Sequence, residues 1–487
     1  MKLSIVAALL LAVGMAAAWD PDVRLTDNSY SDNSYWSGQR RVAVDSAGRI
    51  HVIWYVMNSG LGTYRFQVYY KRFNPGAGWT QDTMLSADLY AASTHNKYPA
   101  ITVGSTGRVV AAWGNDTSDG ADAFIYYKTC LPEGEGNGGW DSVARLLSNG
   151  GTGFTRESPN LAATPDGHVH AVWREVKPGG GSCIAYRELI DTVWQAQVDL
   201  ELNSNYKVYP AIAGGPDNSV HVVWHGRNGP SGYYNVWYTA RADSTWGAME
   251  NVSNGSRHQM YPSVAVDPAT GEPHAIWEGY EPSGTRLRII HNRRAGGSWQ
   301  TCDTVSESGS SYDQDIGQVA FTLDGSGHAV WVGRSDSSSS VGQLRYSQRL
   351  PSGTWSTPID VTDTTGTRER PSVAASQFNL HVVWSDYRDG NSEMYYKHDS
   401  LVTAVGEGEQ PAVPSSYAGV NFVGTVLWLK KGTSASPSWL MDAMGRKVAE
   451  LGDGANDVSS LAPGVYFVRV AGAQAQARAV RKVVVTR

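Results

Sequence analysis

The sequence predicts an all-β protein: a seven-bladed β-propeller closed by its N-terminal strand, followed by a small C-terminal antiparallel β-sandwich. Three observations predict this fold. A short phrase ending in tryptophan recurs seven times along the chain. The last repeat lacks a strand that a segment near the N-terminus matches. The composition, with 53 Gly, 18 Trp and 25 Tyr, favours short strands joined by many turns.

The repeated phrase gives the number of blades. Its tryptophans are about 55 residues apart, a spacing that suits four-stranded blades with generous loops. Six of the seven phrases have His three residues before Trp, and Val110 takes that place in the second. This periodicity predicts that the repeated residues pack blades and are not ligands. The phrases end at Trp54, Trp113, Trp173, Trp224, Trp277, Trp331 and Trp384, and the histidines are His51, His170, His221, His274, His328 and His381.

Each repeat divides into four strands, A to D. Strand A is expected to start at a proline, as in Tyr98-Pro99 and Tyr209-Pro210, where the missing N–H costs no ladder bond. Strand B is the phrase itself, and strand C is rich in Tyr. Strand D opens with a Trp after a Gly-rich turn, at Trp79, Trp140, Trp194, Trp246, Trp299 and Trp355.

The seventh repeat has no strand D of its own. The segment 19–28 near the N-terminus, which begins with Trp19, matches the strand D pattern of residues 355–363. An open ring would leave apolar blade faces in water, so closure is required. We therefore predict that the N-terminal segment completes the last blade.

Residues 1–18 read as a secretory signal peptide. Lys2 supplies the positive charge, residues 3–13 form a short apolar run, and Ala16, Ala17 and Ala18 offer a cleavage site. The mature chain is then expected to start at Trp19, without a transmembrane segment. An uncleaved membrane anchor is the alternative. The domains are predicted as 1–18 signal peptide, 19–400 propeller, 401–416 linker and 417–487 C-terminal sandwich.

Composition excludes several classes of function. The net charge of −6 gives no basic surface for nucleic acid. The three cysteines, Cys130, Cys183 and Cys302, form neither a disulfide framework nor a zinc motif. No phosphate loop, nucleophile elbow or metalloprotease motif occurs. We expect no cofactor and no metal.

Three motifs follow one another near the C-terminus: Gly445-Arg446, then Pro463-Gly464-Val465-Tyr466, then the terminal Lys482 to Arg487. Residues 417–487 resemble the type A C-terminal sorting domain of the type IX secretion system. The resemblance implies export by outer-membrane secretion machinery, and a secreted or outer-surface location on a Gram-negative-type bacterium. Short immunoglobulin-like tails that share these motifs without that role are the alternative.

The propeller itself resembles the sialidase-like superfamily, whose blades carry Asp-box (BNR) turns between strands C and D. The turns at 352–355, 297–299 and 76–79 keep the Gly and the Trp of that motif but lack its Asp. The resemblance spans about residues 19–400 at the level of blade pattern. The superfamily includes enzymes, binding proteins and scaffolds, so it implies no single activity.

Propeller topology predicts where a ligand binds, because the D-to-A and B-to-C connections share one face. A sialidase-like site would need an arginine clamp for a carboxylate, a Tyr and an acid. The catalytic candidates on these connections are Arg156, Arg257, Arg368 and Glu278. The ligand-binding candidates are Trp36, Arg40, Arg174, Arg227, Tyr280 and Arg388. For each of them, a solvated loop residue is the alternative.

Three hypotheses of function remain from the sequence. The first is a secreted or surface module that binds an extracellular glycan or protein through this face. The second is a sialidase-like glycoside hydrolase or polysaccharide lyase that uses the same face. The third is a scaffold without a small ligand.

Overall fold

The structure is a computed structural model, and most of the propeller lies within its described residues. It describes residues 19–33, 40–58, 65–89, 94–117, 122–131, 139–227, 232–281, 284–323, 325–334, 342–350, 353–376 and 379–400. Of the C-terminal part it describes 421–423, 426–429, 438–441, 447–451, 454–457, 461, 464–470 and 479–485. The chain divides into two compact units, and the larger one spans Ala17–Leu401.

Seven β-sheets in the larger unit form the seven blades, which confirms the predicted propeller. The N-terminal strand is β1 (Val23–Arg24). Blade 1 has β2 (Ser31–Asn33), β3 (Val42–Val44), β4 (Ile50–Asn58), β5 (Arg65–Asn74), β6 (Gly78–Trp79) and β7 (Thr83–Met84). Blade 2 has β8 (Thr94–Val103), β9 (Val109–Thr117), β10 (Ala123–Cys130) and β11 (Arg145–Leu146). Blade 3 has β12 (Thr155–Ala163), β13 (Val169–Val176), β14 (Ser182–Ile190), β15 (Val193–Trp194) and β16 (Val198–Asn203).

The remaining blades follow the same order. Blade 4 has β17 (Lys207–Gly214), β18 (Val220–Gly226), β19 (Asn235–Ala242), β20 (Thr245–Trp246) and β21 (Glu250–Asn251). Blade 5 has β22 (Gln259–Val266), β23 (Pro273–Tyr280), β24 (Leu287–Ala295), β25 (Ser298–Trp299) and β26 (Asp303–Thr304). Blade 6 has β27 (Gln314–Phe321), β28 (Gly327–Gly333), β29 (Gln343–Arg349) and β30 (Ile359–Asp360), and blade 7 has β31 (Arg368–Ala375), β32 (Asn379–Asp386) and β33 (Glu393–Ser400).

The ring is closed by the N-terminal strand, as predicted. β1 pairs antiparallel with β33, with Val23 opposite Tyr396, and Trp19 forms a bridge with Asp399. Asp22 makes ion pairs of 2.8 Å with both Arg388 and Lys397. Ladder bonds and ion pairs therefore join the two ends of the propeller.

The repeated tryptophans of strand B are fully buried, and most donate their indole N–H to a polar side chain. In four blades the acceptor lies on or just before strand A, and in two it lies two residues further along strand B. Buried indoles are thereby satisfied, which avoids the cost of an unpaired donor. The pairs are Trp54–Asp32, Trp113–Asn96, Trp277–Gln259, Trp331–Gln314, Trp173–Glu175 and Trp384–Asp386.

A collar of aromatic contacts links each blade to the next. The strand D Trp of one blade packs edge-on against the strand C aromatic of the preceding blade, at centroid distances from 4.8 to 5.5 Å. The seven pairs are Trp79–Tyr396, Trp140–Tyr70, Trp194–Tyr127, Trp246–Tyr186, Trp299–Tyr238, Trp355–His291 and Trp19–Tyr346. We call these residues, with the repeated histidines of strand B, the outer collar.

The repeated histidines complete this collar, as their periodicity predicted. In five blades the histidine Nδ1 bonds to the hydroxyl of the strand C tyrosine at 2.8 to 2.9 Å. In blade 5, His291 replaces the tyrosine and bonds to His274 at 2.9 Å. Blade 2, with Val110 in place of His, keeps Tyr127 in the collar.

Strand A does not start at its proline, which corrects the prediction from sequence. In β8 the strand begins at Thr94, and Pro99 lies inside it after a bulge between Lys97 and Ala100. The residue before each proline adopts a left-handed backbone, for example φ 58° at Tyr98 and 52° at Tyr209. Strand A tolerates the proline because it is the inner edge of the sheet and faces the channel.

The C-terminal strands form a second unit of two sheets. The five-stranded sheet has the order β34 (Asn421–Val423), β40 (Ala479–Val485), β39 (Gly464–Val470), β36 (Ser438–Met441) and β37 (Lys447–Leu451). β35 (Val426–Leu429) pairs with β38 (Gly454–Asp457). The pairing is antiparallel except between β34 and β40, which are parallel. Among the described residues no α-helix occurs, only a 3₁₀ turn at Ala87–Leu89, so none could span a membrane.

Candidate functional site

The candidate site lies where strand B ends and the next strand A begins, on the face formed by the B-to-C and D-to-A connections. Here one side chain links neighbouring blades. His225, directly after the repeated Trp224, accepts a hydrogen bond at Nδ1 from the backbone N–H of Tyr261 at 3.0 Å. Glu278 holds the same place in blade 5 and accepts from the N–H of Ile316 at 2.9 Å. In blades 4 and 5, the residue after the repeated Trp thus accepts a hydrogen bond from the left-handed residue at the bulge of strand A in the next blade.

Six aromatic residues of blades 4 and 5 form one continuous surface here, which we call the aromatic rim. His225 lies at its centre, 5.3 Å from Tyr209, 5.2 Å from Tyr261 and 5.4 Å from Tyr234 between ring centroids. Tyr206 and His258 extend it on either side of Tyr234, at 5.8 and 5.0 Å. The rim comprises Tyr206, Tyr209, His225, Tyr234, His258 and Tyr261.

Two of the predicted arginines lie against this rim. Arg174 packs over the Tyr206 ring at 5.4 Å and makes an ion pair with Glu157 at 2.5 Å. Arg227 stacks between Tyr206 and Tyr234, at 5.6 and 5.0 Å. Within the described part of the chain, no carboxylate pairs with Arg227. Its guanidinium therefore remains available for an anionic ligand.

His225 is neutral at physiological pH. Burial, with His258 as a second cause, lowers its pKa to about 3. Because Nδ1 accepts the backbone hydrogen bond, the ring hydrogen resides on Nε2. The ring therefore contributes a neutral N–H donor inside the rim.

Glu278 is a buried acid next to the rim. Burial, with Asp315 as a second cause, raises its pKa to about 8. Burial also raises the pKa of Asp315, to about 6, with Asp313 adding to it. Burial raises the pKa of Tyr261 too, with contributions from Tyr209 and then Glu278. Glu278 is therefore a carboxylic acid that holds its proton near pH 7.

Arg257 and Tyr280 form a further pair at the blade 5 side of the rim. The Arg257 guanidinium lies 4.3 Å from the centre of the Tyr280 ring and donates to the backbone oxygen of Gly284. Their half-buried position is next to His258, which belongs to the rim. Four predicted residues, Arg174, Arg227, Arg257 and Tyr280, are thus on the surface of blades 3 to 5.

The other predicted arginines are in different places. Arg156 is fully buried in an ion pair with Glu175 at 2.9 Å, and Arg368 in one with Asp386 at 3.3 Å. Both acids also accept the indole N–H of strand B, so these arginines support the blade core. The structure therefore does not bring Arg156, Arg257 and Arg368 together as a clamp.

Arg388, Arg40 and Trp36 complete the predicted set. Arg388 bonds to Asp22 and Asp386 across the ring closure, and these hydrogen bonds raise its pKa despite burial. Arg40 lines the central channel. Trp36 lies outside the described residues.

One group of side chains has the composition of a metal site. Ligand atoms of Glu175, Cys183 and Asp199 lie within 4.8 Å of one another. Burial raises the pKa of the Cys183 thiol to about 12, so it is not a thiolate. Lys177 bonds to both carboxylates, at 2.6 and 2.8 Å. The donor set therefore fits an internal ion-pair network better than a metal ion.

No protein family and no curated protein matches the sequence. Solved structures do resemble this fold. An ulvan lyase of polysaccharide lyase family 25, bound to -[GlcA(1-4)Rha3S]-, has a TM-score of 0.54 at 13% identity, over 77% of this chain and 95% of that chain. The polysaccharide lyase Uly1 has 0.50 at 12% identity, over 79% and 99%. A Hadza microbial sialidase has 0.43 at 12%, over 62% and 63%.

The similarity is one of fold. At such identities it carries no activity to this chain. The rim residues Tyr206, Tyr209, His225, Tyr234 and Tyr261 were not among the sequence candidates. A signal for His225 did exist, because the residue after the repeated Trp varies from blade to blade while the Trp itself does not.

Proposed function

We propose that this protein is an exported propeller that binds an acidic glycan on the aromatic rim. The observation that carries the proposal is Arg227, which stacks between Tyr206 and Tyr234 and has no ion pair among the residues that the structure describes. Sugar rings stack on tyrosine faces, and an arginine fork binds a carboxylate or a sulfate through two parallel hydrogen bonds. Tyr206 is 38% exposed, so part of this residue is accessible to a ligand.

The proposal is supported by arginines that stack on tyrosines along this face. Arg174, Arg227 and Arg257 lie against tyrosines of blades 4 and 5, and the Arg334 guanidinium lies over a tyrosine ring in blade 6. Two propellers with TM-scores of 0.50 or more are named as polysaccharide lyases, and one was bound to a uronate-containing oligosaccharide. An acidic polysaccharide is therefore the first ligand class to test.

The test is a binding screen of the whole protein against polyuronates, sulfated glycans and neutral glycans of equal length. We expect saturable binding to the acidic members, weakened by Arg227→Gln. Arg293→Gln is the control, because Arg293 pairs with Glu272 at the other end of blade 5. Binding that is equal for neutral glycans, or unaffected by Arg227→Gln, contradicts the proposal.

A second candidate function is cleavage of the bound glycan. The protonated Glu278 beside Tyr261 and the neutral His225 supply an acid, a phenol and an N–H donor at one place. Incubation with polyuronates, followed by ultraviolet absorbance for unsaturated products and reducing-end assays for hydrolysis, tests it. Products that disappear with Glu278→Gln while binding persists support cleavage, and no product from any bound glycan rejects it.

We propose further that residues 417–487 direct export, with the signal peptide 1–18 removed. The support is the order of the C-terminal motifs. Expression with and without residues 417–487 in a host that has type IX secretion machinery tests it. The intact protein is expected at the surface or in the medium and the truncated one in the periplasm. Equal export of both would reject this role.

A further inference from the structure

The central channel of the propeller contains a cavity on the side away from the aromatic rim. Its volume is about 230 Å³, and it is lined by the second halves of the inner strands, for example Val44, Val103, Val266 and Ala375. These residues precede the A-to-B turns, so the cavity lies at the opposite end of the ring from the glycan site. For comparison, an engineered apolar cavity of about 150 Å³ binds benzene.

A polar layer separates this cavity from the rim. It is formed by the residues directly after the prolines of strand A. Arg41 donates its backbone N–H to Ser372 and its guanidinium to the carbonyls of Arg370 and Pro371. Ser263 bonds to Gln318, and Asn160 bonds to the carbonyl of Pro210. We therefore expect ligands of the cavity and of the rim to bind independently.

Arg40 is the one charged residue that lines the cavity. It takes the place that proline has in five other blades. In the register of the sheets, Arg40 lies two residues before Val42, just as Pro99 lies two residues before Ile101. Its backbone N–H donates to the side-chain oxygen of Asn160, and its carbonyl accepts from the backbone N–H of Ile101. Its guanidinium has no hydrogen-bond or ion-pair partner among the described residues, and burial lowers its pKa.

The Arg40 side chain is half-buried, and a guanidinium held in a narrow channel without a partner favours an accompanying anion. The lining around it combines two features. Most of the surface is polar, because inner strand edges carry backbone N–H and C=O groups, and valine, alanine and Phe321 side chains form a smaller apolar part. We infer that the channel cavity is a binding site for a small organic carboxylate, whose acid group pairs with Arg40 and whose short tail contacts the apolar part of the lining.

The test is isothermal titration of the whole protein with hexanoate and benzoate, and with hexanol and inorganic phosphate as comparisons. We expect one hexanoate or benzoate to bind per chain and no measurable binding of hexanol. Phosphate should bind at least tenfold more weakly than hexanoate. Arg40→Met should weaken hexanoate at least tenfold and Arg40→Lys less. Arg293→Met, the surface control, should leave it unchanged.

The cavity is tested separately by Val44→Phe, which adds bulk at its partly buried lining while keeping Arg40. Loss of hexanoate binding in this variant supports the site, and it remains informative if Arg40→Met does not fold. Hexanol or phosphate binding as tightly as hexanoate, or full binding by Val44→Phe, would overturn the inference. Arg227→Gln should not affect hexanoate, so this outcome is distinct from that of the glycan screen.

Discussion

In the outer collar, each repeated histidine bonds to an aromatic side chain of its own blade, whereas His225 in the aromatic rim bonds to the backbone of the next blade. The collar repeats these contacts around the ring, with Val110 replacing the histidine in blade 2 and His291 replacing the tyrosine in blade 5. The rim lies on blades 4 and 5, where the rings of Tyr209 and Tyr261 both contact His225. Periodic residues thus hold the ring together, and residues that break the period form the surface where we propose that a ligand binds.

The largest expected effect is a loss of stability at acidic pH. It tests whether the buried histidines of the collar must stay neutral for the ring to remain folded. Burial is the main cause that lowers the pKa of His170 and His221, both to about 4. The unfolded chain binds these protons near pH 6.5. Between pH 6.5 and 4 the unfolded state therefore holds more protons, and stability falls as the pH falls.

Buried carboxylates oppose this trend. Seven histidines have lowered pKa values. Four carboxylates have raised pKa values, so the native state keeps extra protons on these acids, which are Asp32, Glu278, Asp315 and Asp399. The lowered histidines outnumber the raised carboxylates, so stability is expected to fall as the pH falls from 6.5 to 4, by about 1.4 kcal/mol per pH unit for each net proton. Denaturant unfolding at several pH values measures this slope, and His170→Gln should reduce it by about 1.4 kcal/mol per unit. A flat profile between pH 4 and 6 would contradict the neutral collar.

The second prediction separates the stability of the ring from ligand binding. Trp331 is fully buried and donates its indole N–H to Gln314 at 2.8 Å. Trp331→Ala should lower the free energy of unfolding by about 3–5 kcal/mol, through lost packing and a cavity. Denaturant titration measures it, and the folded fraction should bind glycan normally. Weaker binding by that fraction would show that the two regions are coupled.

The third prediction concerns the closure. Trp19 packs edge-on on Tyr346 at 5.4 Å, but it is only half-buried. Trp19→Ala should cost about 2–3 kcal/mol, less than a fully buried tryptophan. Trp355→Ala is the matched control, because Trp355 makes the same contact with His291 away from the closure. Equal losses would mean that the closure is as strong as any other blade boundary, and no loss for Trp19 would contradict its role.

These regions differ in how far sequence reveals them. The collar and the closure follow from periodicity, and the match of residues 19–28 to a missing strand D was sufficient to predict that Trp19 completes blade 7. Partners of charged residues do not follow from spacing. Arg156 lies inside β12, three residues before Pro159, and Glu175 holds it in the core, whereas Arg257 lies five residues before Pro262, ahead of β22, and remains at the surface. The difference is one of register along strand A, and it was missed because the sequence prediction started the strand at the proline.

The proline of strand A shows a second limit of sequence. The sequence places Pro99 at a boundary because prolines interrupt ladders, and the bulge that accommodates it depends on the left-handed backbone of Tyr98. In blades 4 and 5 the equivalent residues are Tyr209 and Tyr261, so the same bulge positions two rim aromatics. A local backbone irregularity thus creates the surface that periodicity alone does not predict.

The smallest effect on stability is expected in the rim itself. Tyr206 is exposed and Arg227 has no ion pair among the described residues, so Tyr206→Ala and Arg227→Gln should change the free energy of unfolding by less than about 0.5 kcal/mol. Each should weaken binding of an acidic glycan about tenfold, or about 1.4 kcal/mol. Calorimetric titration and denaturant unfolding on the same samples measure both quantities, with Arg293→Gln as the control for lost charge. A rim variant that lost stability and kept its affinity would place Tyr206 and Arg227 with the collar, as packing residues, and would remove the physical distinction between the two regions.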